Sequence, residues 1–118
     1  MCDYVNENWS TATAIHLGAY VLWKLNWIHP FSDGNGRTAR AVSYVVLSIK
    51  LDGLLPGAPT IPDQIAADKS PYYRALEQAD KSLIADPSTV EVSALEHMLD
   101  QMLARQLVSA AKEATGEA

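Results

Sequence analysis

The sequence predicts an all-α domain, a single orthogonal helical bundle, and three observations carry that prediction. Apolar residues recur at helical steps through stretches of about four turns. Pro and Gly pairs punctuate the chain between those stretches. The one run rich in β-formers, Val42–Ile49, sits inside about 16 residues without a breaker, a length that favours helix over strand.

The elements follow in order. Ser10 and Thr11 are N-cap candidates for a first helix that reaches Ile28 and stops before Pro30. Ile15, Gly18, Val21, Leu22, Leu25 and Ile28 form its stripe, and Trp23 and Trp27 widen it, so burial on more than one side is expected. A second helix runs from about Gly36 to Asp52, with Val42, Val45, Val46 and Ile49 on one face and Gly53 as its C-cap. Residues 41–49 carry no charge, which predicts a central position for this helix. LLPGAPTIP, residues 54–62, is a turn-rich connector, and Pro62–Ala67 forms a short helix. Ser70-Pro71 reads as N-cap and first helical residue of a helix to about Ser82. Asp86-Pro87 breaks the chain again. Ser88-x-x-Glu91 fits a capping box for a last helix to about Ala111, striped by Val92, Leu95, Leu99, Met102 and Leu103. Residues 1–112 are read as one helical core and 113–118 as a frayed tail.

Composition excludes several function classes. The chain has 118 residues, enough for one domain with one core, and a net charge of −5. That balance argues against binding a nucleic-acid backbone or an anionic membrane surface. No apolar stretch reaches the roughly 20 residues that span a bilayer. Cys2 is the single cysteine, so no internal disulfide forms and a reducing, cytoplasmic setting is expected. No leader-like pattern of basic and apolar residues opens the chain.

Polar chemistry concentrates between the first two long helices, in IHPFSDGNGRTAR, residues 28–40. Gly34 and Gly36, with Asn35 between them, let successive amides point into one concavity at a helix N-terminus, an arrangement that binds anions. Arg37 and Arg40 follow one helical step apart, and guanidinium groups fork onto phosphate oxygens. Asp33 is a candidate Mg²⁺ ligand beside a polyphosphate. His29 can accept a proton near neutral pH. Together these groups suit transfer of a phosphate-containing unit to a nucleophile. By residue type alone the alternative remains open that DGNG is an ordinary turn, shaped by Pro30 and Phe31, with His29 a packing residue.

Three rival motifs fail. GNGRTA, residues 34–39, meets the loose dinucleotide fingerprint, but helix rather than strand precedes it. An EF-hand loop beginning at Asp33 would end on Tyr44 instead of Glu. His16, His29 and His97 are too widely spaced to make a zinc pattern.

HPFSDGNGRTAR, residues 29–40, resembles the Fic signature H-x-F-x-[D/E]-G-N-G-R-x-x-R at every fixed position. The apolar helices on either side fit the same family, as does Tyr72-Tyr73-x-x-Leu76, and the resemblance covers roughly Asn6 to the last helix. It implies an all-helical fold and transfer of AMP from ATP to a hydroxyl of a target protein. Carried over, His29 would deprotonate the target hydroxyl, Phe31 would anchor the loop and Asp33 would hold Mg²⁺. Gly34, Asn35 and Gly36 would hold the α-phosphate and its neighbours, and Arg37 and Arg40 the outer phosphates. Gly36 stands where the phosphate-transferring Doc branch has Lys nearby, which favours nucleotidyl transfer. Tyr72 and Tyr73 are candidates for contact with the base or a partner, or for a split in which one packs in the core and the other lies at the surface.

Two departures shape the expectation. Relatives carry a β-hairpin flap upstream of the signature, and 28 residues here precede His29. The flap is therefore expected to be absent, in a fragment or a minimal form. The inhibitory pattern [S/T]-x-x-x-E-[G/N] is approached by Ser109–Ala114, which puts Glu113 at the inhibitory position but ends on Ala. An S-x-x-x-E spacing is common in helices, so coincidence is preferred, and inhibition would come from a separate protein or segment. The leading expectation is a Mg²⁺-dependent adenylyltransferase acting in the cytoplasm or delivered into a host cell. The alternatives are a nucleotide-binding module with little activity, a Doc-type phosphotransferase, and a purely structural helical domain.

Overall fold

Six α-helices, with no strand among the described residues, make up the computed structural model of this chain, which describes residues 2–28, 35–53, 55–86 and 90–114. They are α1 (Cys2–Asn8), α2 (Ala14–Ile28), α3 (Asn35–Lys50), α4 (Ile61–Ala67), α5 (Ser70–Ala85) and α6 (Ser93–Ala114). The all-helical class is as expected. No described helix is long and apolar enough to cross a membrane.

The centre of the domain is α2. Leu17, Gly18, Ala19, Val21, Leu22, Trp23 and Leu25 are all buried, a run that wraps most of the helix circumference. α3, α5 and α6 pack around it, directly or through side chains. The expectation that uncharged α3 would be central is corrected. Val45 and Ile49 are more than half exposed, and α3 buries Ala39, Ser43 and Leu47 instead. These lie four residues apart, and their small members bring α3 close to α2. Ser43 Oγ donates to the Gly18 carbonyl at 2.7 Å, and a methyl group at Gly18 would meet Ser43, Leu99 and Leu47 at 3.6–3.8 Å, ordinary contact distance. The face of α3 that meets α2 is the one with the small residues Ala39 and Ser43, not the one with the larger Val45 and Ile49.

Several element boundaries differ from the expectation for local reasons. Thr13, not Ser10 or Thr11, caps α2, its Oγ1 accepting from the His16 amide at 3.1 Å. Thr11 and Ala12 are used to close the turn after α1 onto the Asn8 carbonyl. Asp52 (φ 67°) takes the left-handed position after α3. Its amide donates to Ile49 and that of Gly53 to Ser48, the paired bonds of a Schellman ending. Ser70 is already helical, and Lys69 stands at the cap. Of the expected capping box, Ser88 lies outside the described residues, and Glu91 precedes α6 instead of standing in its first turn, its amide donating to Ser82 Oγ at 2.9 Å. α6 extends through Glu113 and Ala114, past the expected break.

The helix α1 has no sequence stripe and buries no residue fully. A side-chain relay docks it. The Tyr4 hydroxyl lies 2.6 Å from His16 Nε2, and His16 Nδ1 lies 2.8 Å from Glu96 Oε1 on α6. With Nδ1–H donating to the carboxylate, Nε2 is left to accept from the phenol. The Tyr4 ring also stacks on Tyr20, centroids 3.9 Å apart. Lys50 Nζ, at the end of α3, donates to the Trp9 carbonyl and lies over the Trp9 ring.

The connector 55–60 is held by two buried glutamines. Gln106 Oε1 accepts from the Ile61 amide at 3.0 Å, while its Nε2 faces Tyr44 Oη and the Leu55 and Pro56 carbonyls. Gln64 Nε2 donates to the Pro59 and Met102 carbonyls. Among the described residues no buried side-chain polar atom lacks a partner.

Candidate functional site

The helices α2 and α3 hold the two ends of the polar loop. α2 closes at Ile28 and α3 opens at Asn35, so the rigid pair that forms the heart of the domain fixes where the loop begins and ends. His29, Phe31, Asp33 and Gly34 lie outside the described residues, and of Asn35 and Glu113 only the backbone is described. Asn35, Gly36 and Arg37 occupy the first turn of α3, where unpaired amides and the helix dipole favour an anion.

The two arginines share a helix but not an environment. Arg37 is exposed. Arg40 is half-buried, its guanidinium carbon 5.8 Å from the centroid of the Tyr72 ring on α5. Gly36 stands one turn before Arg40, and a methyl group placed on it would come within 3.0 Å of Arg40 Nη1. The glycine leaves room for that guanidinium.

Tyr72 is 1% exposed, and its neighbour Tyr73 is 54% exposed. The expected split, one ring in the core and one at the surface, is what the structure has. The Tyr72 hydroxyl accepts from Asn26 Nδ2 at 2.6 Å, and the same amide group donates to the Leu22 carbonyl at 2.7 Å. Burial pushes the Tyr72 phenol above its ordinary pKa of 10.0, against the opposing pull of the Asn26 hydrogen bond and of the Arg40 guanidinium. The phenol is therefore neutral at physiological pH and presents a fixed dipole beside Arg40.

A cleft of about 410 Å³ adjoins the end of α2, lined among the described residues by Asn26, Trp27, Leu76 and Asp80. Trp27 is 45% exposed and lies against Trp23 at 6.0 Å between centroids. Asp80 Oδ1 accepts from Trp23 Nε1 at 2.9 Å, which fixes the carboxylate at the cleft wall. An aromatic face, an aliphatic wall and a few oriented polar groups suit a planar ligand with a polar edge. Among the described residues no group of three or more His, Cys, Asp or Glu could hold a metal ion.

Residues 1–47, which run from α1 through the polar loop to most of α3, match the model of the Fic/DOC family. Residues 1–47 are thus a Fic/DOC-type segment. It is similar to Protein adenylyltransferase Fic of Nematostella vectensis, 33% identical over 90 residues, which cover 76% of this chain and 19% of the relative. It is also similar to the proteins of that name in Drosophila persimilis and Drosophila pseudoobscura pseudoobscura. Each is 36% identical over 78 residues, covering 64% of this chain and 14% of the relative. The chain thus spans about a fifth or less of the length of these curated relatives. No solved structure matches it.

The structure adds residues that sequence reasoning did not single out. Asn26 is an uncharged polar residue in the last turn of an apolar helix, three positions before His29, and that isolation was its available signal. Trp27 was read as part of the buried stripe and is 45% exposed, and Asp80 carried no signal, because their meeting at one cleft depends on how α5 lies on α2.

Proposed function

We propose that this chain is the nucleotide-handling core of a protein adenylyltransferase, binding ATP with Mg²⁺ and passing AMP to a hydroxyl side chain of a target protein. The observation that carries this reading is the unbroken signature His29–Arg40 at the head of α3, in a chain whose curated relatives are named protein adenylyltransferases. The first-turn amides of α3, with Gly34, Asn35 and Gly36, cradle the phosphates. Arg37 reaches the outer phosphates from solvent and Arg40 from its seat on Tyr72. The cleft beside Trp27 takes the base.

The proposed reaction forms one bond and breaks one. The target oxygen attacks the α-phosphorus as its proton passes to His29. The bond from the α-phosphorus to its bridging oxygen breaks, and pyrophosphate departs. Asp33 would hold Mg²⁺, and a single carboxylate fits a cation that takes its other ligands from phosphate oxygens and water. When bound, the cation supplies neutralising charge to the phosphates.

Incubation with ATP labelled at the α- or the γ-phosphate tests the reading. Label from the α position is expected on protein and is expected to vanish in His29→Ala, which leaves ATP binding intact. Arg37→Ala is expected to weaken ATP binding with no change in melting temperature, since the side chain is exposed. Transfer of γ-label alone would replace the reading with phosphotransfer. ATP binding without transfer would leave a nucleotide-binding module.

A further inference from the structure

The geometry points to Tyr72 and Asn26 as positioning residues for Arg40: a buried phenol, pinned by an amide from another helix, holds one phosphate-binding guanidinium ready before ligand arrives. The inference rests on the proposed role of Arg40 in binding the outer phosphates.

Three helices meet at this point. Arg40 comes from α3, Tyr72 from α5 and Asn26 from α2. An arginine free in solvent samples many rotamers, and ordering it on binding costs affinity. Here the guanidinium already lies over an aromatic face at 5.8 Å, a range in which cation–π attraction acts. The platform is buried and hydrogen-bonded. Tyr72 is 1% exposed, and its hydroxyl is fixed by the 2.6 Å bond from Asn26 Nδ2. Asn26 is fixed in turn by its bond to Leu22 O within α2. Gly36 leaves room for the guanidinium, since a methyl group there would lie 3.0 Å from Nη1. Arg37, three residues earlier, is exposed, whereas Arg40 is half-buried. Arg40 supplies a preorganised contact and Arg37 an adaptable one.

The test compares the wild type with Tyr72→Phe, Arg40→Ala and the double variant, measuring Kd for ATP and for AMP by calorimetry. Tyr72→Phe keeps the ring in the core and removes the hydroxyl. It is expected to weaken ATP binding about three- to tenfold, the cost of ordering one side chain on binding, and to leave AMP binding unchanged, because AMP lacks the outer phosphates. In the Arg40→Ala background the same change is expected to have no further effect on ATP. Asn26 also lines the cleft assigned to the base, so Asn26→Ala is read by the Arg40 resonance alone and serves there if Tyr72→Phe fails to fold. Equal losses for ATP and AMP, or full additivity with Arg40→Ala, would overturn the positioning role. The Arg40 Nε–H resonance of the ligand-free protein gives a separate readout. It should move in Tyr72→Phe and in Asn26→Ala, and an unmoved signal also overturns the inference. If the resonance moves but Arg40→Ala leaves ATP affinity intact, the positioning stands and the phosphate-binding role of Arg40 falls.

Discussion

Replacing Gln106 with Leu removes the polar keystone of the connector while keeping a side chain of similar size. Gln106 is 0% exposed on α6. Its Oε1 is the acceptor for the amide of Ile61, the first residue of α4, one of the N–H groups that a helix start leaves without an intrahelical partner. Ile61 is 3% exposed, so water cannot take over. A buried amide stranded in this way costs about 1–3 kcal/mol. The Nε2 group faces Tyr44 Oη at 2.8 Å and the Leu55 and Pro56 carbonyls at 3.2 Å. Tyr44 is half-buried and Pro56 exposed, so both regain water, and the loss on that side is about one net hydrogen bond, roughly 0.5–1.5 kcal/mol. The expected destabilisation is about 2–4 kcal/mol. Urea unfolding followed by tryptophan fluorescence measures it, with an unchanged m-value showing that only stability moved. A loss below about 1 kcal/mol would refute the claim that this amide holds the connector. Gln106→Glu gives a control. It keeps the acceptor for Ile61 but sets a carboxylate against two carbonyls, and should destabilise at least as much.

Other outcomes follow from single positions. Gly57 has φ 97°, and a methyl group there would lie 1.9 Å from the Gln106 carbonyl oxygen; Gly57→Ala should cost at least about 2 kcal/mol in chemical denaturation, and a near-neutral result would contradict the close approach to α6. Asp52→Gly should raise stability by up to about 1 kcal/mol, because glycine takes the left-handed position of the Schellman ending without a Cβ penalty; a lower melting temperature would argue that the Asp side chain contributes there. The Tyr72 phenol is raised above 10.0 in the folded protein by burial. Its contribution is fully present below pH about 10 and is lost as pH rises toward the folded value, because the unfolded chain ionises first. Alkaline unfolding should therefore be shallower in Tyr72→Phe than in the wild type, and superimposable alkaline limbs would count against a buried, neutral phenol.

What the sequence determined by itself was local. The all-helical class, the spans of α2, α3 and α4 to within a few residues, and the signature His29–Arg40 with its family were legible, because periodicity, breakers and residue types within a dozen positions encode them. The tertiary structure decided what depends on separate segments meeting. α1 shows no stripe and forms because Tyr4 reaches His16 and His16 reaches Glu96, 80 residues further on. Ser88-x-x-Glu91 reads as a capping box, yet Ser82 on α5 takes the Glu91 amide and α6 starts later. Val45 and Ile49 look like core and face solvent, because the face of α3 with Ala39, Ser43 and Leu47 is the one that meets α2, where Ser43 donates to the Gly18 carbonyl. Arg37 and Arg40 are equivalent as letters, and only the packing of α5 places a buried tyrosine behind the second. Backbone preference and periodicity act over one or two turns, whereas the fit of side chains across helices is settled only when the whole core closes at once.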